Sequence, residues 1–125
     1  MQDVTPIIGE EKKIIETYGN GGFKISDERF ESSVIILPEE VSEISHEDIS
    51  EISDASVETI ISKSDNIEIL LVGAGKASDF FEPEIEKNIK SKGISIEYMD
   101  TGAACRTYNV LLSEERKVAA LLIAV

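Results

Sequence analysis

The sequence predicts an α/β domain: a mixed central sheet flanked by helices, with an added N-terminal β-hairpin. Three observations carry this. Apolar, β-branched runs recur at 33–37, 67–72, 94–99 and 118–125, each of strand length and continuous enough to argue for a sheet covered by helices. Helical spacing with start and stop signals falls between the later runs, so the second half reads β-α-β-α-β. Gly19-Asn20-Gly21-Gly22 separates two short segments of strand character, the mark of a hairpin.

Taken in order, residues 1–12 read as a loose arm containing Pro6 and Gly9, and 13–125 as a single α/β domain. Ile14-Ile15-Glu16-Thr17-Tyr18 and Phe23-Lys24-Ile25 form the hairpin, and Asp27 and Glu28 mark a turn before Phe30. The run 33–37 is stopped by Pro38. Residues 39–58 then carry eight acidic side chains (Glu39, Glu40, Glu43, Glu47, Asp48, Glu51, Asp54, Glu58) and no lysine or arginine, while Val41, Ile44, Ile49 and Ile52 tie the segment to the core. Ser53 is the expected N-cap of a short helix with Val57, Ile60 and Ile61 facing inward. The run 67–72 ends at Gly73-Ala74-Gly75. Pro83 suits the first turn of a helix with Ile85 and Ile89 inward and Gly93 at its C′ position. Asp100-Thr101-Gly102 caps a helix reaching about Arg116, with Ala104, Tyr108, Leu111 and Leu112 inward. The short connection from Arg116 to Val118 leaves open whether the last strand returns antiparallel or lies at an edge.

Composition narrows the function classes. The formal net charge is −13, from 25 acidic and 12 basic residues, and such an excess repels phosphate backbones, so no nucleic-acid partner is expected. A single cysteine, Cys105, precludes an intrachain disulfide and fits a reducing compartment. The first residues lack the basic and apolar regions of a secretory signal, and no apolar run reaches the ~20 residues that span a bilayer. A cytoplasmic protein without membrane insertion is the expectation.

Two segments have the setting of a ligand site, beyond strand ends where helix N-termini point. Gly73-Ala74-Gly75 permits close backbone approach, but neither the third glycine of a dinucleotide fingerprint nor the Lys-Ser/Thr of a P-loop follows it. The denser segment is 100–109, where Asp100, Thr101, Cys105, Arg106 and Asn109 fall within ten residues at a helix start. Cys105 is the candidate nucleophile or redox thiol, and Gly73, Gly75, Asp100, Thr101, Arg106 and Asn109 are candidate ligand contacts. The structural alternative is equally concrete: Asp100 and Thr101 as capping residues, Ala103, Ala104 and Cys105 as small packing residues, and Arg106 as a counter-charge to residues 39–58. His46, the only histidine, lies in the acidic segment and reads as a surface residue. No metal site or cofactor is expected, since histidine and cysteine are too few for a transition-metal site and no EF-hand spacing occurs.

Several segments together resemble a known family: Tyr18-Gly19-Asn20-Gly21-Gly22-Phe23, Ser33-Val34-Ile35-Ile36-Leu37-Pro38, Ile69-Leu70-Leu71-Val72-Gly73-Ala74-Gly75, Met99-Asp100-Thr101-Gly102-Ala103-Ala104-Cys105-Arg106-Thr107-Tyr108-Asn109-Val110-Leu111 and Glu115-Arg116-Lys117-Val118-Ala119-Ala120-Leu121-Leu122-Ile123. In this order they resemble the small bacterial and archaeal domain family of unknown function related to mitochondrial respiratory complex I assembly factor 3. The resemblance runs from about residue 13 to the end and is most specific over 100–111. It implies a mixed sheet whose last strand opposes the others, no established catalytic activity, and a role in building a membrane protein complex. It also implies threonine where this chain has Ala74, and it does not require an arginine at position 106.

Two functions from different classes follow. One is a non-catalytic protein-binding or assembly factor whose acidic segment, with Glu43, Glu47 and Glu51 as candidate contacts, docks a basic partner. The other is a small-molecule-binding or thiol-dependent enzyme using the cleft between Gly73-Ala74-Gly75 and the Thr101 helix start.

Overall fold

The computed structural model describes residues 2–4, 12–45, 48–76 and 79–125. Four strands, β1 (Gln2–Asp3), β2 (Ile15–Gly19), β3 (Gly22–Ile25) and β4 (Glu28–Phe30), form an antiparallel sheet in sequence order. The β2–β3 turn at Asn20 and Gly21 and the β3–β4 turn at Ser26 and Asp27 both have positive φ at their two central residues, the primed geometry that matches the twist of paired strands. Thus the turn expected at Asp27 and Glu28 falls one residue earlier, and Glu28 opens a strand. The arm is also less loose than expected at its start, because Gln2 and Asp3 pair with Tyr18 and Thr17.

The second sheet has five strands in the order β6-β5-β9-β7-β8. These are β5 (Ser33–Ile36), β6 (Val41–Ile44), β7 (Ile69–Gly73), β8 (Ser95–Met99) and β9 (Val118–Leu122). Three helices accompany it: α1 (Asp54–Ser62), α2 (Pro83–Lys90) and α3 (Thr101–Ser113). The sheet is mixed, as the sequence predicts, but the last strand does not oppose all the others. β9 lies at the centre, antiparallel to β5 and parallel to β7, which is itself parallel to β8. The reason is α3, whose 13 residues carry the chain back along the sheet before β9 begins, the crossover that parallel strands require.

Alternation on the central strands explains their continuous apolar runs. Ala119, Leu121 and Ile123 join Leu70 and Val72 on the face covered by α1 and α2. Val118, Ala120 and Leu122 join Leu71 on the face covered by α3 and the four-stranded sheet. With both faces covered, neither set of alternating positions meets water. Val57 and Ile60 of α1 and Ile85 and Ile89 of α2 are the buried helix positions. Ser53 stands at the α1 N-cap, yet its hydroxyl meets the Ser56 hydroxyl at 3.2 Å rather than a backbone N–H. Gly93 lies one residue beyond the expected C′ position, since the C-cap of α2 is Ser91.

Candidate functional site

At the carboxyl end of β7 the backbone of 73–75 meets the start of α3, and the contact is closed rather than open. Thr101 is fully buried; its hydroxyl accepts from the Gly75 N–H at 2.9 Å and donates to the Ile123 carbonyl at 2.7 Å. The Thr101 N–H donates to the Gly75 carbonyl at 3.0 Å, and the Ile123 N–H to the Gly73 carbonyl at 2.9 Å. One side chain therefore ties together the β7 end, the α3 start and the end of β9. Gly73 makes this possible, because a Cβ there would stand 2.9 Å from Leu122 Cδ2 and 3.0 Å from Thr101 Cα, closer than side chains tolerate. At Gly73 the space beside the backbone is filled by the protein's own atoms.

Asp100 caps α3 by accepting from the Ala103 N–H at 2.7 Å, the local reason the helix begins here. Asn109, two turns further on, faces inward. Its side-chain oxygen accepts from the Ile15 N–H, and its amide donates to the Ile15 and Val4 carbonyls at 2.7 and 2.9 Å. It thus substitutes for a neighbouring strand and pins β2 to α3. Arg106 is exposed and donates to the Tyr18 hydroxyl at 2.9 Å; among the described residues its partner is this aromatic of the small sheet and not a carboxylate of 39–58. Gly102 allows that approach, since a Cβ there would come within 2.7 Å of the Tyr18 hydroxyl. Tyr18 is a member of this constellation that sequence reasoning missed. Nothing in a strand 88 positions from Arg106 announces such a partner.

Cys105 is fully buried in the core between α3 and the two sheets. Burial pushes its thiol up to about 12, outweighing the Arg106 guanidinium nearby, which pulls it down. The neighbouring Tyr108 is raised as well, by burial alone, and its hydroxyl has no hydrogen-bond partner among the described residues. At neutral pH the thiol is held protonated and away from solvent.

The open space near this corner lies to one side, between the ends of β7 and β8. A cleft of about 250 Å³ is lined by Ala74, Lys76, Asp79, Phe80, Tyr98, Met99 and Asp100. Of the candidate ligand contacts, only Asp100 borders it. Phe80 is 59% exposed and stands edge-on to Tyr98 at 4.8 Å. The Tyr98 hydroxyl donates to Glu86 at 2.7 Å, and burial together with that carboxylate holds its proton on more tightly than usual. Among the described residues, no three His, Cys, Asp or Glu side chains stand together as a metal site would require.

The acidic candidates are elsewhere. Glu43 lies on β6 and accepts from the Ser32 hydroxyl at 2.7 Å, and Glu51 ends a short 3-10 turn; both are exposed. Glu47 and His46 lie outside the described residues. Glu39, Glu40, Asp48, Asp54 and Glu58 are exposed too, over buried Ile49, Ile52 and Val57.

Fold and site together define a mixed α/β domain in which Asp100 caps α3 while Thr101 and Asn109 bond strand ends to it. The chain belongs to the family described as "Protein of unknown function (DUF498/DUF598)", which it matches over residues 15–123. It is 35% identical over 109 residues to the NADH dehydrogenase [ubiquinone] 1 alpha subcomplex assembly factor 3 of Xenopus tropicalis, covering 87% of this chain and 60% of that protein. The chain thus spans about six-tenths of that relative's length. It is 30% identical to the 13 kDa major membrane protein of Francisella tularensis, covering 85% of this chain and 86% of that one. Among solved structures, an outer membrane protein from Bartonella henselae superposes with a TM-score of 0.85 at 38% identity, covering 93% of this chain and 98% of that one. No helix among the described residues is long and apolar enough to cross a membrane.

Proposed function

We propose that this domain is a non-catalytic, protein-binding assembly factor for a respiratory or other membrane protein complex, and that the acidic segment 39–58 is its docking face. The observation that carries the reading is the disposition of that segment: seven exposed carboxylates, at Glu39, Glu40, Glu43, Asp48, Glu51, Asp54 and Glu58, held over the buried anchors Ile49, Ile52 and Val57. A fixed array of one sign steers and selects a partner of the other sign. The choice of a respiratory or other membrane complex as partner is supported by the name of one relative, an assembly factor of NADH dehydrogenase. The thiol-enzyme alternative needs a Cys105 thiolate in contact with a substrate, and the burial of Cys105 favours the structural role instead.

The test is quantitative affinity isolation from gently solubilised cells with the wild type and with E43K/E51K, whose substitutions lie on exposed positions and leave the core untouched. Membrane-complex subunits or their assembly proteins are expected with the wild type and should fall about tenfold or more with the variant, given ~1 kcal/mol for each close charge pair lost and repulsion added. Equal recovery with both proteins would rule out the acidic face as the docking surface.

A further inference from the structure

Phe80 and Val110 are the large apolar side chains left exposed among the described residues, and Phe80 forms a wall of the cleft between the ends of β7 and β8. Its ring stands at 79° to that of Tyr98, so the two make adjoining walls of one corner. The corner is held from behind: buried Phe81 packs edge-on against Tyr98 at 5.8 Å, and Glu86 holds the Tyr98 hydroxyl. Two carboxylates border the same space. Asp79 accepts from the Phe80 N–H at 2.9 Å on Oδ1, which fixes it beside the ring. Asp100 uses Oδ1 for the Ala103 N–H, leaving Oδ2 without a hydrogen bond among the described residues. Neither aspartate is in an ion pair among those residues, and nor is Lys76, the exposed cation at the rim. Asp79 Oδ2 also accepts from the Ser50 N–H at 3.3 Å, which brings the 3-10 turn Ile49–Glu51 of the acidic segment against the cleft. Asp48 and Glu51 flank Ser50 and are exposed, so the cleft and the turn beside it hold four carboxylates to one ammonium.

From this geometry we infer that the cleft receives an arginine side chain of the protein partner, its guanidinium stacked on Phe80 and paired with Asp100. The inference rests on the acidic segment being the docking face, and it names the residue that anchors the partner there. Size selects a side chain over a whole ligand, since about 250 Å³ is below the roughly 300–1,000 Å³ of small-molecule sites. Chemistry selects arginine among side chains. An exposed aromatic face beside free carboxylate oxygens attracts a cation, and the planar, weakly hydrated guanidinium both stacks on a ring and forks onto a carboxylate, whereas an ammonium does only the first well. The surroundings act in the same sense, because the field of a chain with net charge −13 draws cations toward a concavity and repels anions from it. Arginine seated in a pocket with aromatic walls is also the kind of contact that carries a large share of interface energy. The Ser50–Asp79 bond makes the cleft continuous with the docking face, so one extended basic segment can reach both.

The test is a titration of the whole, isotope-labelled chain with the acetylated and amidated peptide Lys-Gly-Arg-Gly-Lys, at neutral pH and constant ionic strength, followed by amide chemical shifts. The same peptide with citrulline for arginine keeps the shape and removes the central charge. Saturable shifts are expected at Ala74, Phe80, Tyr98 and Asp100 and along 48–51, with the citrulline peptide about fivefold weaker. F80A and D100N should each weaken the arginine peptide about three- to fivefold, as an exposed cation–π contact and an exposed ion pair warrant, and leave the citrulline peptide nearly unchanged. Both variants should fold, since Phe80 is exposed and asparagine caps a helix as aspartate does. Absence of saturable shifts in the cleft, equal affinity of the two peptides, or wild-type affinity in F80A and D100N would each overturn the inference. E43K/E51K separates it from the docking face: weakened binding there with full affinity in F80A and D100N would remove the arginine site alone, and the reverse pattern would remove the docking face alone.

Discussion

Thr101 shows how much of the candidate site is spent on structure. Its hydroxyl satisfies a buried N–H and a buried carbonyl on two different strand ends, so Thr101→Val, nearly equal in shape, leaves both groups unpaired. Stability should fall by about 2–4 kcal/mol in chemical denaturation, at ~1–3 kcal/mol for each orphaned group, whereas Thr101→Ser should retain most of it. The buried proton-bearing groups give a second prediction at this scale. The folded-state pKa of Cys105 is raised to about 12 from 9.0, and those of Tyr108 and Tyr98 are raised as well. A raised pKa means stability that is fully present below the unfolded value and lost as pH climbs toward the folded one. Stability should therefore decline from about pH 9 upward, and Cys105→Ala should flatten the first part of that decline in a pH series of denaturation midpoints. The sequence offered Asp100, Thr101, Cys105, Arg106 and Asn109 as a group, and their common helix was legible. Which of them turn inward was harder to read, because Asn109 and Thr101 are polar residues buried by partners 22 to 105 positions away.

At the scale of elements, the end of α3 is the most informative. Glu115 takes the left-handed conformation at φ +62°, its N–H bonding the Leu112 carbonyl and that of Arg116 the Leu111 carbonyl. This is a Schellman closure with glutamate where glycine is preferred. Glu115→Gly should raise stability by about 0.5–1 kcal/mol, the relief of left-handed strain less the added freedom of the unfolded chain. A thermal or denaturant melt checks it; a destabilised variant would mean that the glutamate side chain contributes something the backbone geometry does not show. The strands with both faces covered, β5, β7 and β9, were legible from their continuous apolar runs, and α2 from Pro83 and its two isoleucines. β6 and β4 were not recognised, for a physical reason. Both are edge strands of three or four residues with exposed carboxylates, too short and too polar to show a period. The direction of β9 was also beyond local reasoning, since it depends on which gap in the sheet α3 delivers the chain to.

For the whole molecule, the separation of roles matters most. The interior joins two sheets through α3, while the charge is on the surface, so substitutions at Glu43 and Glu51 and those at Thr101 should act independently. The cleft at Phe80 was not foreseen from the sequence, since of the candidate residues only Asp100 borders it. We propose that the 100–109 segment builds the fold and does no thiol chemistry. Alkylation of Cys105 by iodoacetamide, followed over time in native and denatured protein at neutral pH, tests it most directly. Labelling of the native protein should be slowed about a thousandfold or more, because a core thiol reacts only through global opening, and should be prompt once the chain is unfolded. Native labelling as fast as that of a free thiol, or faster, would contradict it and make Cys105 a reactive group.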